Sequence, residues 1–214
     1  RPVDFVPAIP RLGDGELWRQ ALLVRVLVAT ARGMRPKKAE EKVERDTRSH
    51  VETCPFCRGN EARTPPEISR WPDQDDWQVR IVPNLYPVLG DDNAQNNIAF
   101  GLQQVIDGYG RHEVVVDHAH HGIALHEMAA EHLSRLFGLF QRRMRDLYES
   151  DRRLRYVLVF KNFGAAAGAS IPHTHSQLIA MPVVPENLLN ELEHSRNHYA
   201  KYQQCVFCSL IDEA

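Results

Sequence analysis

The segment from Asn162 to Gln177, N-F-G-A-A-A-G-A-S-I-P-H-T-H-S-Q, limits most strongly what this chain can fold into. It joins two apolar runs, 156–161 and 173–181, whose length and residue types predict β-strands. The loop between them, 162–170, is rich in Gly and Ala. Such a loop lets backbone N–H groups approach a phosphate without interference from Cβ atoms. The segment therefore predicts a strand, a candidate phosphate-binding loop and a second strand.

The second of these strands carries a cluster of polar side chains. Side chains alternate along a strand, so His173, His175 and Gln177 are expected to point to one face. Two imidazoles and an amide are costly to bury without a purpose. A polar edge strand with exposed histidines is the alternative interpretation. The combination with the preceding loop favours a functional site over that alternative.

The four cysteines form two C-x-x-C pairs, Cys54 with Cys57 and Cys205 with Cys208. Paired C-x-x-C motifs in a chain of this length indicate metal or redox chemistry in a reducing compartment. A redox dithiol needs a helix that starts at the first cysteine. Residues 58–66 contain Gly59 and two prolines, which argue against such a helix.

Zinc is the favoured interpretation of C-P-F-C, in which two thiolates from a tight knuckle are joined by two ligands from elsewhere. The eleven histidines of the chain offer many candidates for those ligands. A pair of inert loop cysteines is the alternative.

Composition excludes some other classes of protein. The net charge of −2 gives no overall basic field that would attract nucleic acid or a membrane surface. No run of about 18 apolar residues is present that would span a bilayer, and no signal peptide is visible. We expect a cytoplasmic protein that binds neither nucleic acid nor membrane. The chain begins with Arg1 instead of Met, which suggests a partial sequence.

The order of predicted elements indicates an α+β fold with a mainly antiparallel sheet flanked by helices, because strands and helices alternate irregularly with short links. Apolar residues at helical spacing predict a long helix over 125–150. The polar stretch 91–97 is expected to be a turn. The further predictions are strands over 22–30, 77–82, 113–117, 156–161 and 173–181, and a polar helix over 186–202.

Five motifs together resemble the galactose-1-phosphate uridylyltransferases and their relatives in the histidine triad superfamily, which include plant-type ADP-glucose phosphorylases. The motifs are R-G-M-R-P, C-P-F-C-R-G-N-E, V-P-N-L-Y-P, H-E-V-V-V-D and the segment from Asn162 to Gln177. The resemblance implies a histidine-triad-like nucleotidyltransferase domain over 1–185. It implies that 186–214 form a helix and the start of a truncated second half, in which Cys205 and Cys208 lack the histidines of a complete zinc site.

The resemblance also implies roles for individual residues. His175 matches the family's nucleophile, and Cys54, Cys57 and His173 match zinc ligands. The fourth ligand matches His121, with His118 and His120 as close rivals. The positions that match substrate contacts are Arg32, Arg35, Asn84, Asn162, Gly168, Ser170 and Gln177. Taken without the resemblance, the two arginines fit a phosphate-binding fork and a simple positive turn equally well.

The implied activity is transfer of a nucleoside monophosphate, foremost UMP, between sugar 1-phosphates through a covalent nucleotidyl-histidine. An alternative is an adenylyltransferase of the ADP-glucose phosphorylase type with phosphate as acceptor, since H-T-H-S-Q looks more like that branch. A nucleotide hydrolase and a non-catalytic zinc-binding interaction module are two further alternatives. The implied partners are a nucleotide sugar, a sugar phosphate and a second copy in a homodimer, and the implied cofactor is Zn²⁺.

Overall fold

The structure is a computed structural model that describes residues 24–28, 46–91, 97–100, 103–164, 167, 169 and 171–213. A five-stranded antiparallel sheet dominates it, with the strand order β2-β3-β6-β8-β7. Its strands are β2 (Ser69–Trp71), β3 (Val79–Pro83), β6 (Arg111–Val116), β7 (Tyr156–Phe160) and β8 (His175–Met181). Within the described ranges, no helix has the length and apolar character that crossing a membrane requires.

A second, three-stranded sheet has the order β1-β5-β4. It consists of β1 (Val24–Val28), β4 (Asn97–Phe100) and β5 (Gln103–Asp107). The β1–β5 pair is parallel and the β4–β5 pair is antiparallel. Three α-helices complete the described part of the chain, namely α1 (Ala130–Ser150), α2 (Glu186–Tyr202) and α3 (Val206–Asp212).

Both faces of the large sheet are covered, and side-chain alternation decides which residue faces which cover. On one face, Val79, Ile81 and Val115 pack against Leu136 and neighbouring residues of α1. Glu113 points to the same face and forms a bidentate ion pair with Arg143 of α1, at 2.6 and 2.8 Å. The helix is therefore held to the sheet by apolar packing and by one buried ion pair.

The cysteine knuckle covers the opposite face. Cys54, Phe56 and Cys57 pack with Val114 and Val116 of β6, which alternate with the residues that face α1. Strand β8 lies at the centre of this arrangement, because it pairs with β6 from Val116↔His175 onward and with β7 as far as Phe160↔Gln177. The sheet thus holds β8 between two strands from Gln177 onward, whereas its first two residues pair with β6 alone.

The prediction of an α+β fold with a mainly antiparallel sheet is confirmed, and the boundaries of the elements need correction. The predicted strand 173–181 begins at His175. The predicted helix 125–150 begins at Ala130, after a 3₁₀ turn over Leu125–Glu127. The predicted turn 91–97 is wrong at its last residue, where β4 begins. The predicted helix 186–202 is confirmed as α2, whereas β2, β4, β5 and α3 were not predicted.

Candidate functional site

Four buried residues from three distant parts of the chain converge beside the start of β8. Cys54 and Cys57 come from the knuckle before β2, His121 from the turn after β6, and His173 from the residues just before β8. One donor atom from each lies within 4.8 Å of every other, and all four residues are buried. Among the described residues, this is the one group of three or more His, Cys or acidic residues that is arranged to hold a metal ion. We call these four residues the Cys₂His₂ cluster.

The distances within the Cys₂His₂ cluster fit a tetrahedral metal site. The Nδ1 atom of His173 lies 3.6 Å from the sulfur of Cys54 and 3.6 Å from that of Cys57. The Nδ1 atom of His121 lies 3.4 Å from the sulfur of Cys57. Metal–sulfur bonds of about 2.3 Å and metal–nitrogen bonds of about 2.0–2.1 Å at tetrahedral angles would place S and N about 3.5 Å apart. These three separations are therefore compatible with a tetrahedral metal ion at the centre of the cluster.

A hydrogen bond from His173 and a carboxylate contact of His121 orient the two histidines for such a site. Nε2 of His173 lies 2.7 Å from the carbonyl oxygen of His118. A carbonyl can only accept, so Nε2 carries the proton and the lone pair of Nδ1 faces the sulfurs. Nε2 of His121 lies 3.3 Å from a carboxylate oxygen of Asp46, which favours the same tautomer. Partners of this kind orient ligating histidines in metal sites.

The two rival histidines take other positions. His118 presents its backbone carbonyl to His173, and its Nδ1 accepts a hydrogen bond from the backbone N–H of His120 at 2.9 Å. Neither imidazole belongs to the Cys₂His₂ cluster. The structure therefore brings His121 to the sulfurs and keeps His118 and His120 outside.

The knuckle itself is built to hold thiolates. The backbone N–H of Phe56 donates to the sulfur of Cys54 at 3.4 Å, and that of Val51 donates to the sulfur of Cys57 at 3.3 Å. Burial raises the pKa of the Cys54 thiol to about 11, and burial lowers the pKa of His173 to about 4. His173 is therefore neutral, as a ligand must be. The Cys54 thiol needs a nearby cation to ionise, which a bound metal ion would supply.

His175 lies next to the Cys₂His₂ cluster. Its Nδ1 lies 2.8 Å from the carbonyl oxygen of His173, so the proton sits on Nδ1 and the lone pair on Nε2. Its ring packs against Phe56 with centroids 5.3 Å apart, and Phe56 also contacts His173 at 6.1 Å. Phe56, one of the two residues between the cysteines, thus packs against both histidines of H-T-H.

A buried histidine that the sequence analysis did not single out donates a hydrogen bond to one predicted substrate residue, Gln177, and lies beside another, Asn84. Nε2 of His112 lies 2.9 Å from Oε1 of Gln177 and 3.1 Å from Nδ2 of Asn84. The backbone N–H of Val88 donates to Nδ1 of His112 at 3.0 Å, which places the imidazole proton on Nε2 and makes it the donor to Gln177. The signal was present in H-E-V-V-V-D, because alternation puts His112 on the same face as Val114.

The remaining predicted site residues are less informative. Asn162 is half-buried at the point where the glycine-rich loop leaves β7. Arg32, Arg35, Gly168 and Ser170 lie outside the described residues. The division of the chain at 185 stays a prediction.

The second C-x-x-C pair lies at the start of α3, where Cys205 is half-buried and Cys208 exposed. In the described part of the chain, no histidine joins these two sulfurs in a group of three or more possible ligands. We therefore expect the chain to retain one equivalent of zinc after dialysis, measured by plasma mass spectrometry. Retention of two equivalents would contradict this prediction.

Comparison with known proteins places the chain in a family. Residues 16–185 match the N-terminal domain of galactose-1-phosphate uridyl transferase. The chain belongs to this family, as the sequence motifs predict.

Two relatives show how far the similarity extends. An ADP-glucose phosphorylase of Arabidopsis thaliana is 32% identical over 198 residues, which cover 88% of this chain and 56% of the relative. A galactose-1-phosphate uridylyltransferase of Thermotoga maritima is 29% identical over 160 residues, 74% of this chain and 47% of the relative. The chain spans about half the length of these relatives.

Solved structures agree with this assignment. The crystal structure of the Arabidopsis thaliana ADP-glucose phosphorylase with bound ADP-glucose superposes with a TM-score of 0.64 at 29% identity, over 86% of this chain and 53% of that one. A uridylyltransferase structure gives a TM-score of 0.60 at 28% identity, over 85% and 52%.

Proposed function

We propose that the chain is a nucleotidyltransferase that forms a covalent nucleotidyl-histidine at His175. The observation that carries this proposal is the tautomer of His175, whose Nδ1 donates to the carbonyl of His173 and whose lone pair is therefore on Nε2. A neutral imidazole with an oriented lone pair is a competent nucleophile towards phosphorus. Membership of the uridyl transferase family supports the same reaction.

Two displacements at the α-phosphorus of a nucleotide sugar make up the reaction. In the first, the Nε2 lone pair of His175 forms a P–N bond while the bond to the bridging oxygen breaks, and the sugar 1-phosphate leaves with that electron pair. In the second, an oxygen of a phosphate acceptor forms a new P–O bond, and the P–N electron pair returns to Nε2. The proton stays on Nδ1 throughout, where the His173 carbonyl stabilises the positive charge that the ring acquires.

We propose that Zn²⁺ is the metal of the Cys₂His₂ cluster and that its role is structural. Cys54, Cys57, His121 and His173 would supply all four ligands, so a bound ion would tie the knuckle to the residues before β8 and would have no open position for water. Phe56 packs against both His173 and His175, so a metal ion that fixes the knuckle would also restrict the position of the nucleophile. No step of the transfer uses the metal.

The identity of the nucleotide is the finer part of the proposal. The family resemblance names UMP transfer from UDP-glucose to galactose 1-phosphate first, although H-T-H-S-Q looks more like the phosphorylase branch. The comparisons favour the second candidate, adenylyl transfer from ADP-glucose to inorganic phosphate, because the 32% identical relative is an ADP-glucose phosphorylase. The structure that superposes with a TM-score of 0.64 is also a phosphorylase, with ADP-glucose bound.

A labelling experiment tests the proposal and separates the candidates. The protein is incubated with UDP-glucose or ADP-glucose labelled at the α-phosphorus, and acid-labile label on the protein is counted. We expect label from one nucleotide, discharged by galactose 1-phosphate in the uridylyl case or by phosphate in the adenylyl case. Label that water alone releases would indicate a hydrolase. A protein that takes up no label from either nucleotide would contradict nucleotidyl transfer and favour the non-catalytic module.

A further inference from the structure

A lysine on the face of the sheet opposite the cysteine knuckle contacts the strand that carries His175. The Nζ atom of Lys161, directly after β7, lies 2.7 Å from Oδ2 of Asp117, 2.8 Å from Oγ1 of Thr174 and 3.0 Å from the carbonyl oxygen of His175. The three N–H donors of an ammonium group match these three acceptors. We propose that Lys161 is a positioning residue for His175, an inference that rests on the proposed function.

The contact with His175 lies just beyond the end of the backbone ladder that joins β7 to β8. The ladder between β7 and β8 ends at Phe160↔Gln177. The carbonyl of Thr174 points towards β6, because it accepts from the backbone N–H of Asp117 at 3.2 Å. Carbonyl directions alternate along a strand, so the carbonyl of His175 points towards the β7 side. On that side, the ammonium group of Lys161 donates a hydrogen bond to the carbonyl oxygen of His175.

Asp117 also forms hydrogen bonds with both sequence neighbours of His175. Its Oδ2 accepts from the hydroxyl of Ser176 at 3.0 Å, and its backbone N–H donates to Thr174. Its own carbonyl lies 2.7 Å from Nε2 of His132 on α1, which donates to it. The Lys161–Asp117 pair therefore fixes three consecutive residues, and α1 fixes the pair.

The free-energy cost of burying the Lys161–Asp117 ion pair indicates that the pair serves to orient the strand. Asp117 is fully buried, and the side chain of Lys161 is 17% exposed. A buried ion pair is often no more stabilising than well-packed apolar residues of the same volume. Its donors and acceptors do, however, define one orientation of the strand, which an apolar pair would not. The same lysine directly precedes Asn162, where the glycine-rich loop begins.

Kinetics of the Lys161→Met variant test the inference, with Lys201→Met on the exposed face of α2 as the matched control. A displacement of about 1 Å at a reacting group can lower a rate about 10²-fold. We expect the rate of His175 labelling at saturating nucleotide to fall about 10²-fold, with KM changed less than about threefold and zinc content unchanged. Thr174→Val removes one acceptor of Lys161 and should give a smaller loss of the same kind.

These measurements distinguish failure of the Lys161 inference from failure of the proposed function. If the wild-type protein takes up no label, the proposed function is wrong, and the inference falls with it. If the wild type is labelled and Lys161→Met is labelled at the same rate, only the inference is overturned. Thermal unfolding confirms that each variant is folded at the assay temperature. A loss that appears in KM alone, or in proportion to lost zinc, would also overturn it.

Discussion

Replacement of His175 by glycine is expected to abolish nucleotidyl transfer while the fold and the metal content stay nearly unchanged. The imidazole supplies the atom that forms the P–N bond, so its loss should lower the rate by about 10⁴-fold or more, not weaken substrate binding. The backbone of His175 remains available to Lys161 and to the ladder with β6. The side chain is not among the four that form the Cys₂His₂ cluster.

Transfer rate, zinc content and thermal unfolding are the measurements for this variant, with His194→Ala on the exposed face of α2 as the control. Turnover within a few fold of the wild-type value would show that His175 is not the nucleophile. Loss of zinc from His175→Gly would show that the two histidines of H-T-H have been assigned the wrong roles.

Replacement of His173 by glycine should have a different effect, with loss of metal, stability and activity together. His173 is fully buried, and its Nδ1 lies 3.6 Å from both sulfurs. Removing one of four ligands leaves two buried thiols and an incomplete coordination shell, and metal binding energy is part of the folding energy in such sites. We expect a loss of about 3 kcal/mol or more, which lowers Tm by about 10 °C in a chain of this size.

Zinc content after dialysis and Tm with and without a chelator check this prediction. Cys208→Ser is the control, since it removes an exposed thiol outside the Cys₂His₂ cluster. The chelator should lower the Tm of the wild type and of Cys208→Ser, but not that of His173→Gly. A His173→Gly variant that keeps its full zinc content and wild-type Tm would contradict the proposed ligand set.

Local patterns were sufficient to predict the parts of the site that lie close together in sequence. Alternation along one strand predicted that His175 and Gln177 share a face, and the C-x-x-C spacing predicted a knuckle with two thiols side by side. Spacing alone did not choose among His118, His120 and His121, because all three lie in one short turn. That choice depends on the backbone of the turn, which directs the carbonyl of His118 towards His173.

Interactions between distant residues were not predictable in this way. Lys161 and Asp117 are 44 positions apart, and His112 and Gln177 are 65 apart, so no periodicity relates them. Strand β2 has only three residues, too few for an alternating pattern to appear. Strands β4 and β5 are also short, and β5 begins with two glutamines, which do not favour strands by composition.

The Cys₂His₂ cluster joins residues 119 positions apart, Cys54 and His173, which has a consequence for the order of folding. While the chain is synthesised, both cysteines emerge long before His173, and a metal ion can find all four ligands only after β8 has docked between β6 and β7. The entropy lost on closing a loop rises only with the logarithm of its length, so this wide separation adds little to the free-energy cost. We therefore expect the complete set of four ligands to form only when these distant segments have come together, and the two thiols of the knuckle to be open to oxidation before then.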